Sequence, residues 1–254
     1  MEMDFERRFG GVRRLYGEEA FQRFRQAHVC IVGVGGVGSW AAESLARSAI
    51  GRITLIDLDN IAESNTNRQV HALGDEYGKA KVAAMAQRIH AINPACEVIE
   101  IEDFVTLDNL EDMLGRDYDF VIDAIDNARV KAAMINWCKR RKIKMIASGG
   151  AGGRVDPARI QLDDLARSVQ DPLLSRVRVL LRREYGFPKD AKKKFGVECV
   201  FSSEPLRMPE NGESCDVDDK PVTGINCAGF GAAMTVTASF GLWMASRALA
   251  HLSK

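Results

Sequence analysis

No two of the six cysteines (Cys30, Cys96, Cys138, Cys199, Cys215, Cys227) form a Cys-x-x-Cys pair anywhere in the 254 residues. The spacing that usually announces a structural zinc is therefore missing, and no zinc is expected. A disulfide scaffold is excluded by length, because bridges dominate much shorter chains. Neither charge is in excess: 35 Lys and Arg cancel 35 Asp and Glu. That argues against a protein that coats nucleic acid with its whole surface. Met1 to Arg8 mixes both charges and lacks the apolar segment of a secretory signal, so the expected location is the cytoplasm. Internal repeats and low-complexity linkers are also lacking.

What is present reads as one soluble globular unit over residues 1–254. The 46% hydrophobic and 28% charged fractions exclude wholesale disorder, a collagen-like repeat and a polytopic membrane protein. One stretch invites a membrane reading, since the 26 residues from Pro221 to Ser246 carry no charge and are long enough to span a bilayer. Gly224, Gly229 and Gly231 interrupt its first half. A buried core or dimer helix from about Gly231 to Leu252 is expected, with membrane association not favoured.

Along residues 1–150, apolar strand-like runs alternate with helical patterns. Strands are expected at Val29–Val32, Ile53–Ile56, Val98–Ile101, Phe120–Ile122 and Lys144–Ala147. Helices are expected at Ser39–Ser48, Lys79–Ile92, Leu107–Leu114 and Ala128–Arg141. This alternation implies right-handed βαβ units and an α/β, Rossmann-like, doubly wound, largely parallel sheet. After Gly149 to Gly153 the pattern changes. A strand or hairpin is expected over Arg154–Leu162, helix over 163–185, strand over Val197–Phe201, and a proline-marked loop over about 204–222. The half from 151 to 254 is expected to serve substrate and dimer contacts.

Gly33-Val34-Gly35-Gly36-Val37-Gly38 follows the first strand and opens the first helix, as a phosphate-binding Gly-x-Gly-x-x-Gly requires. Backbone N–H groups and the helix N-terminus can then approach phosphate oxygens. Asp57, nineteen residues beyond Gly38, ends the next strand and suits ribose hydroxyls. Alone, these features fit a nicotinamide-dependent dehydrogenase equally well. Three further elements separate the two readings: Asn65-Thr66-Asn67-Arg68-Gln69, Lys81 at a helix start, and Asp123-Ala124-Ile125-Asp126-Asn127 at a strand end. Cations suit a triphosphate and a carboxylate suits its Mg²⁺, whereas hydride transfer needs neither.

With these residues the sequence resembles the E1-like adenylating superfamily of ThiF, MoeB and HesA type. The resemblance implies an E1-like adenylation fold that binds ATP and Mg²⁺ and transfers AMP to a carboxylate. It implies nucleotide contacts from Gly33, Gly35, Gly36, Gly38, Asp57, Asp59, Asn65, Arg68, Gln69, Lys81, Asp126 and Asn127. Asp57 would take the ribose, Asn65, Arg68 and Lys81 the phosphates, and Asp126 the Mg²⁺ with support from Asp123. Arg68, Lys81, Asp126 and Asp123 are thus the catalytic candidates. The chain departs from carrier-activating relatives by lacking their Cys-x-x-Cys pairs. It also has Gly11 in place of the second arginine of their N-terminal Arg-x-x-Arg-Gln; Arg8, Arg13 and Arg14 are the candidate substitutes.

Phe9 to Gly17, Ser168 to Pro172, Phe195 to Pro205 and Cys227 to Ala232 resemble a narrower group, the tRNA threonylcarbamoyladenosine dehydratases. The likeness implies a homodimer that uses ATP to cyclise the threonylcarbamoyl group of the adenosine beside the anticodon. It also brings a cysteine desulfurase or sulfur acceptor into consideration as a partner. The alternative is an adenylyltransferase or sulfurtransferase acting on the C-terminus of a ubiquitin-like carrier, with Cys215 or Cys227 as its thiol. A third reading is an RNA-binding nucleotide sensor without turnover.

Charge distribution favours an RNA partner. Between Arg167 and Lys194 nine basic residues face three acidic ones, whereas Glu97 to Asp126 holds eleven acidic residues and one arginine. Arg176, Arg178, Arg182, Arg183, Lys189, Lys192, Lys193 and Lys194 are the candidate phosphate contacts. Cys30, Cys96, Cys138 and Cys199, and all four histidines, are expected to be structural.

Overall fold

The apolar run His28–Val32 is buried along its whole length and forms strand β1 of the computed structural model, which describes residues 4–190, 192–208 and 230–254. The other strands are β2 (Arg52–Ile56), β3 (Glu97–Ile101), β4 (Phe120–Asp123), β5 (Met145–Ser148), β6 (Ile160–Asp164) and β7 (Glu198–Ser202). They form one seven-stranded sheet in the order β3-β2-β1-β4-β5-β7-β6. Neighbours pair in parallel except β6 with β7, which is antiparallel.

Helices α1 (Phe5–Tyr16), α2 (Glu18–Gln26), α3 (Gly38–Ala46), α4 (Lys81–Ile92), α5 (Leu110–Leu114), α6 (Ala128–Arg141), α7 (Pro172–Glu184) and α8 (Met234–Leu252) surround the sheet. Strands covered on both faces read as continuous apolar runs, and alternate residues go to opposite sides. Val29 and Ile31 join Leu45 of α3, Met85 of α4 and Phe240 and Met244 of α8. Cys30 and Val32 face Met134 and Cys138 of α6. A further apolar cluster joins Cys199 and Phe201 of β7 to Leu174, Val177 and Leu181 of α7.

Because β1 is flanked by β2 and β4, the connections after it leave in opposite directions. The crevice at the carboxyl ends of β1 and β4 is where such a sheet binds ligands. α8 seals the crevice from behind: a Cβ at Gly241 would lie 2.4 Å from the Val37 carbonyl oxygen, so α8 and the start of α3 touch nearly backbone to backbone.

Several expectations are corrected. The helix expected over 163–185 is instead the end of β6, a short 3-10 turn and then α7. The Asp164 carboxylate accepts from the amides of Ala166, Phe195, Gly196 and Val197, which fixes a turn where helix was expected. α7 starts only where Asp171 caps it, accepting from Leu174 N at 2.9 Å, with Pro172 in the first position. The strand expected at Arg154 begins at Ile160, because Asp156-Pro157 opens a 3-10 turn. α8 begins at Met234 rather than Gly231. Among the described residues no helix is long and apolar enough to cross a membrane. α1 and α2 had no counterpart in the sequence reading; Asp4 caps the first, and Phe9, Phe21 and Phe24 bury its side of the pair.

His71, in the loop between β2 and α4, is 2% exposed, and neither ring nitrogen has a hydrogen-bond partner among the described residues. Burial, followed by the positive charges of Lys81 and Arg88, lowers its pKa to about 4 from 6.5. A depressed folded-state pKa gives stability that is present above the unfolded value and lost as pH falls through the folded one. Urea unfolding should therefore show this contribution declining from pH 6.5 toward pH 4. Its slope should reach about 1.4 kcal/mol per pH unit. In His71→Leu that part of the slope should be absent; equal slopes in both proteins would contradict it.

Candidate active site

A cleft of about 900 Å³ opens at the carboxyl ends of β1, β2, β4 and β5. Its floor is the glycine loop after β1. Gly33 has φ +87°, and a Cβ on Gly38 would stand 1.8 Å from the Gly33 carbonyl oxygen. Only glycine permits that turn, which puts the start of α3 directly beneath the cleft. Gly35 and Gly36 line the cleft, and the Arg68 stem packs over Gly36.

Asp57 ties the loop to β2. One carboxylate oxygen accepts from Val34 N at 2.6 Å and the other from Asp59 N at 2.9 Å. Burial pushes its pKa up, against the opposing charge of Lys81. Lys81, at the first turn of α4, is 6% exposed. Its Nζ lies 2.7 Å from Asp59 Oδ2 and 3.9 Å from Asp57 Oδ1. An ammonium so enclosed is held at one point of the cleft wall.

Asn65 and Gln69 are buried on the same wall. Asn65 Oδ1 accepts from Ala62 N at 3.1 Å, closing a 3-10 turn, and Gln69 Oε1 has no hydrogen-bond partner among the described residues. Arg68 Nη1 donates to Ser64 O and Asn67 Oδ1, each at 2.8 Å, while its carbonyl accepts from Trp40 Nε1. On the opposite wall Asp126 is half-buried, and Asn127 caps α6 by accepting from Arg129 N and Val130 N at 3.1 Å. The sequence elements around residues 33–38, 57–59, 65–69, 81 and 126–127 thus converge on one cavity.

Asp123 does not join them. It is fully buried behind β4, where Lys131 Nζ lies 2.7 Å from its Oδ1 and both side chains are 0% exposed. Burial raises its pKa and Lys131 opposes this. Its geometry is that of an internal ion pair anchoring α6 to β4, not of a group facing the cleft.

Other cleft residues escaped the sequence reading. The loop after β3 contributes Phe104 and Leu107, 49% and 46% exposed, together with buried Val105. α8 contributes Thr237, and the chain after β5 contributes Ser148 to Ala151. Behind that last segment Arg154 is 2% exposed. It donates to the carbonyls of Gly150, Ser202 and Gln170, while Asp171 accepts from Gly150 N at 2.9 Å. The signal available was the glycine run itself, which lets backbone approach a buried arginine; the apolar loop after β3 left no comparable mark.

The basic segment divides. Arg176, Lys189, Lys192, Lys193 and Lys194 are exposed. Arg178 is half-buried and donates to the carbonyl and hydroxyl of Ser168, and Arg182 donates to Pro188 O at 3.2 Å and lies over the Phe195 ring. Those two arginines brace loops, a correction that follows from their facing the chain on either side of α7. Arg183 pairs with Glu184 at 2.7 Å. Among the N-terminal arginines, Arg8 donates to the α4 carbonyls of Ala91 and Ile92, Arg13 pairs with Glu6 and Glu18, and Arg14 is exposed.

Cys30, Cys96, Cys138 and Cys199 are buried, and burial raises every one of their thiol pKa values, to about 12 for Cys96 and Cys138. None resembles an activated nucleophile. Cys215 and Cys227 lie outside the described residues, as does most of the expected 204–222 loop. Among the described residues no three His, Cys, Asp or Glu side chains converge as a metal cluster.

The ThiF family model matches residues 9–254. The chain belongs to the ThiF family. Within it, the chain is similar to the tRNA threonylcarbamoyladenosine dehydratase of Haemophilus influenzae, with 49% identity over 252 residues, covering 99% of this chain and 95% of that protein. The Escherichia coli enzyme of the same name is 51% identical over 249 residues, 96% of this chain and 93% of its own. The crystal structure of the Escherichia coli dehydratase in complex with ATP superimposes with a TM-score of 0.89 at 49% identity, covering 99% of this chain and 96% of that one. An AMP complex of the same enzyme gives 0.88. The ThiF-family assignment and the α/β fold with its mostly parallel sheet accord with the sequence reading.

Proposed function

We propose that this ThiF-family chain is an ATP-dependent tRNA threonylcarbamoyladenosine dehydratase. What carries the reading is full-length similarity near one-half identity to two enzymes of that name, one solved with ATP. The cleft supplies chemistry of the matching kind. A glycine loop at a helix start, a fixed ammonium at Lys81 and the Arg68 guanidinium suit a triphosphate, and Asp57 suits the ribose. The apolar Phe104, Val105 and Leu107 at the rim suit a base.

Mg²⁺ fits this donor set, because it is commonly held by one or two carboxylates with substrate phosphates completing its shell. Asp126 is the carboxylate that would hold it, and when bound the ion would neutralise charge between the phosphates. In the proposed reaction the threonine carboxylate of the modified adenosine attacks the α-phosphorus and the bond to pyrophosphate breaks. Lys81 and Arg68 stabilise the charge that develops on the phosphate oxygens. The neighbouring carbamoyl group then closes on the acyl carbon, loses a proton, and displaces AMP. One water is lost from the nucleoside, and no covalent enzyme intermediate is needed.

The reading carries with it tRNA as substrate and a homodimer. Exposed Leu242 and Trp243, adjacent on α8, are apolar side chains open to a second copy.

Incubation with ATP, Mg²⁺ and tRNA bearing threonylcarbamoyladenosine should yield, by mass spectrometry, a nucleoside lighter by one water, together with AMP and pyrophosphate. Unchanged nucleoside with pyrophosphate release dependent on a ubiquitin-like carrier would favour the carrier-activating reading. No ATP consumption with either substrate would favour a sensor.

A further inference from the structure

A second cleft, of about 510 Å³, lies between the end of α6 and the chain leading from α7 to β7. α6 starts at Asn127 in the nucleotide cleft, and α7 starts at Asp171 against Gly150 of the same cleft. The two helices pack together and run away from it, so their ends meet beyond the opposite edge of the sheet. At about 1.5 Å per residue, Arg140 is roughly 20 Å along α6 from Asn127.

The lining of this cleft combines charge with a flat ring. Lys139, Arg140 and Lys194 line it beside Asn136 and half-buried Tyr185, and among the described residues no carboxylate does. Its apolar base is built, since Phe187 and Phe195 pack edge to face at 5.1 Å. Lys139 is fixed over that base, donating to Phe195 O with its Nζ 5.6 Å from the Phe187 ring. Gly196, at φ +70°, makes room for it, because a Cβ there would stand 3.0 Å from Lys139 Nζ. Exposed Lys192 and Lys193 directly precede lining Lys194 in the chain, with Glu184 and Asp190 the acidic groups of the adjoining segments. Glu184 is paired with Arg183, and Asp190 accepts from Lys192 N.

Cations beside an aromatic ring over an apolar base are what a phosphate joined to a nucleobase requires, the phosphate meeting the charges and the base stacking on the ring. We infer that the cleft at the ends of α6 and α7 binds a nucleotide of the tRNA remote from the reacting adenosine. This rests on the proposal that tRNA is the substrate. It explains why the run Lys139-Arg140 shares a cleft with Lys194 although more than fifty positions separate them in sequence.

The test compares the full chain with the double variant Arg140→Gln/Lys194→Gln, with Tyr185→Leu, and with Arg7→Gln/Lys254→Gln, which removes equal charge outside the cleft. Kd for unmodified tRNA is measured across a salt series, and conversion of the modified nucleoside is followed in the same preparations. The double variant should bind about tenfold more weakly, with the slope of log K against log[salt] reduced by about 1–2. Tyr185→Leu should weaken binding about tenfold at unchanged slope, as loss of one stacked base does. Unchanged affinity in both cleft variants, or an equal loss in the outside pair, would overturn the inference. Unchanged affinity in Tyr185→Leu alone would overturn its base-binding part. These readouts do not depend on turnover: absence of dehydration by the unaltered chain would count against the proposed function, whereas salt-dependent binding that tracks the cleft would still support the RNA site.

Discussion

Lys81→Met should lower the rate of nucleoside dehydration by at least ~100-fold, the scale of losing one charged contact made in the transition state. The loss should fall mainly on kcat, because the glycine loop and Asp57 still hold the nucleotide. The side chain is nearly isosteric with the buried lysine stem, so packing against the cleft wall is retained, but Asp57 and Asp59 lose their shared cation. Nucleotide affinity and thermal unfolding measured on the same variant separate loss of chemistry from loss of fold. Asp126→Ala should give a loss of similar size, with a raised Mg²⁺ requirement as its distinguishing mark. Near-normal rates in both variants would remove these two residues from the reaction.

Lys131→Met should cost about 3–5 kcal/mol of folding stability, because it leaves the Asp123 carboxylate charged or protonated in a site with no solvent exposure. Asp123 Oδ2 already lacks a hydrogen-bond partner among the described residues, so the loss of Lys131 from Oδ1 falls on a group with little other support. Among the described residues, only the Ile125 amide also donates to that oxygen, at 3.3 Å. The double variant Asp123→Asn/Lys131→Met should recover most of the loss, since replacing both partners of a buried pair is far less costly than removing one. Urea unfolding of the two single variants and the double measures the coupling directly. A single-variant loss below about 1 kcal/mol would mean that the pair is hydrated or dispensable.

Asp123 and Asp126 mark where the sequence stopped being legible. The βαβ alternation is plain because strands covered on both faces are written as unbroken apolar runs, and β1, β2 and β4 lie where those runs stand. The glycine loop is legible because close backbone approach admits only one residue type. Asp123 and Asp126 are indistinguishable in sequence: both are carboxylates at one strand end. They differ in that strand alternation turns Asp123 toward a lysine eight positions on, whereas Asp126 follows the strand and stays in the cleft wall. Arg178 and Arg182 mislead for a similar reason, because a charge run does not record which of its members turn inward to brace a neighbouring loop. Phe104, Leu107 and Thr237 left no signal, since apolar and hydroxyl side chains acquire a role at a cleft only from the tertiary arrangement that brings them there.

Strand β3 is one open margin of the sheet, and Glu97 and Glu100 on it are exposed. At the other margin β6 carries half-buried Asp163. An unpaired strand is a template on which a strand of another copy can add, and like charges along both margins oppose that addition. The acidic residues that offset the basic face in the whole-chain sum thus include some with a task of their own, keeping separate copies from joining sheet to sheet while the chain is only partly folded. Balanced net charge is ordinarily a liability for dispersal in a crowded solution; here each open margin keeps a carboxylate, Glu100 on β3 and Asp163 on β6, where another strand would have to add.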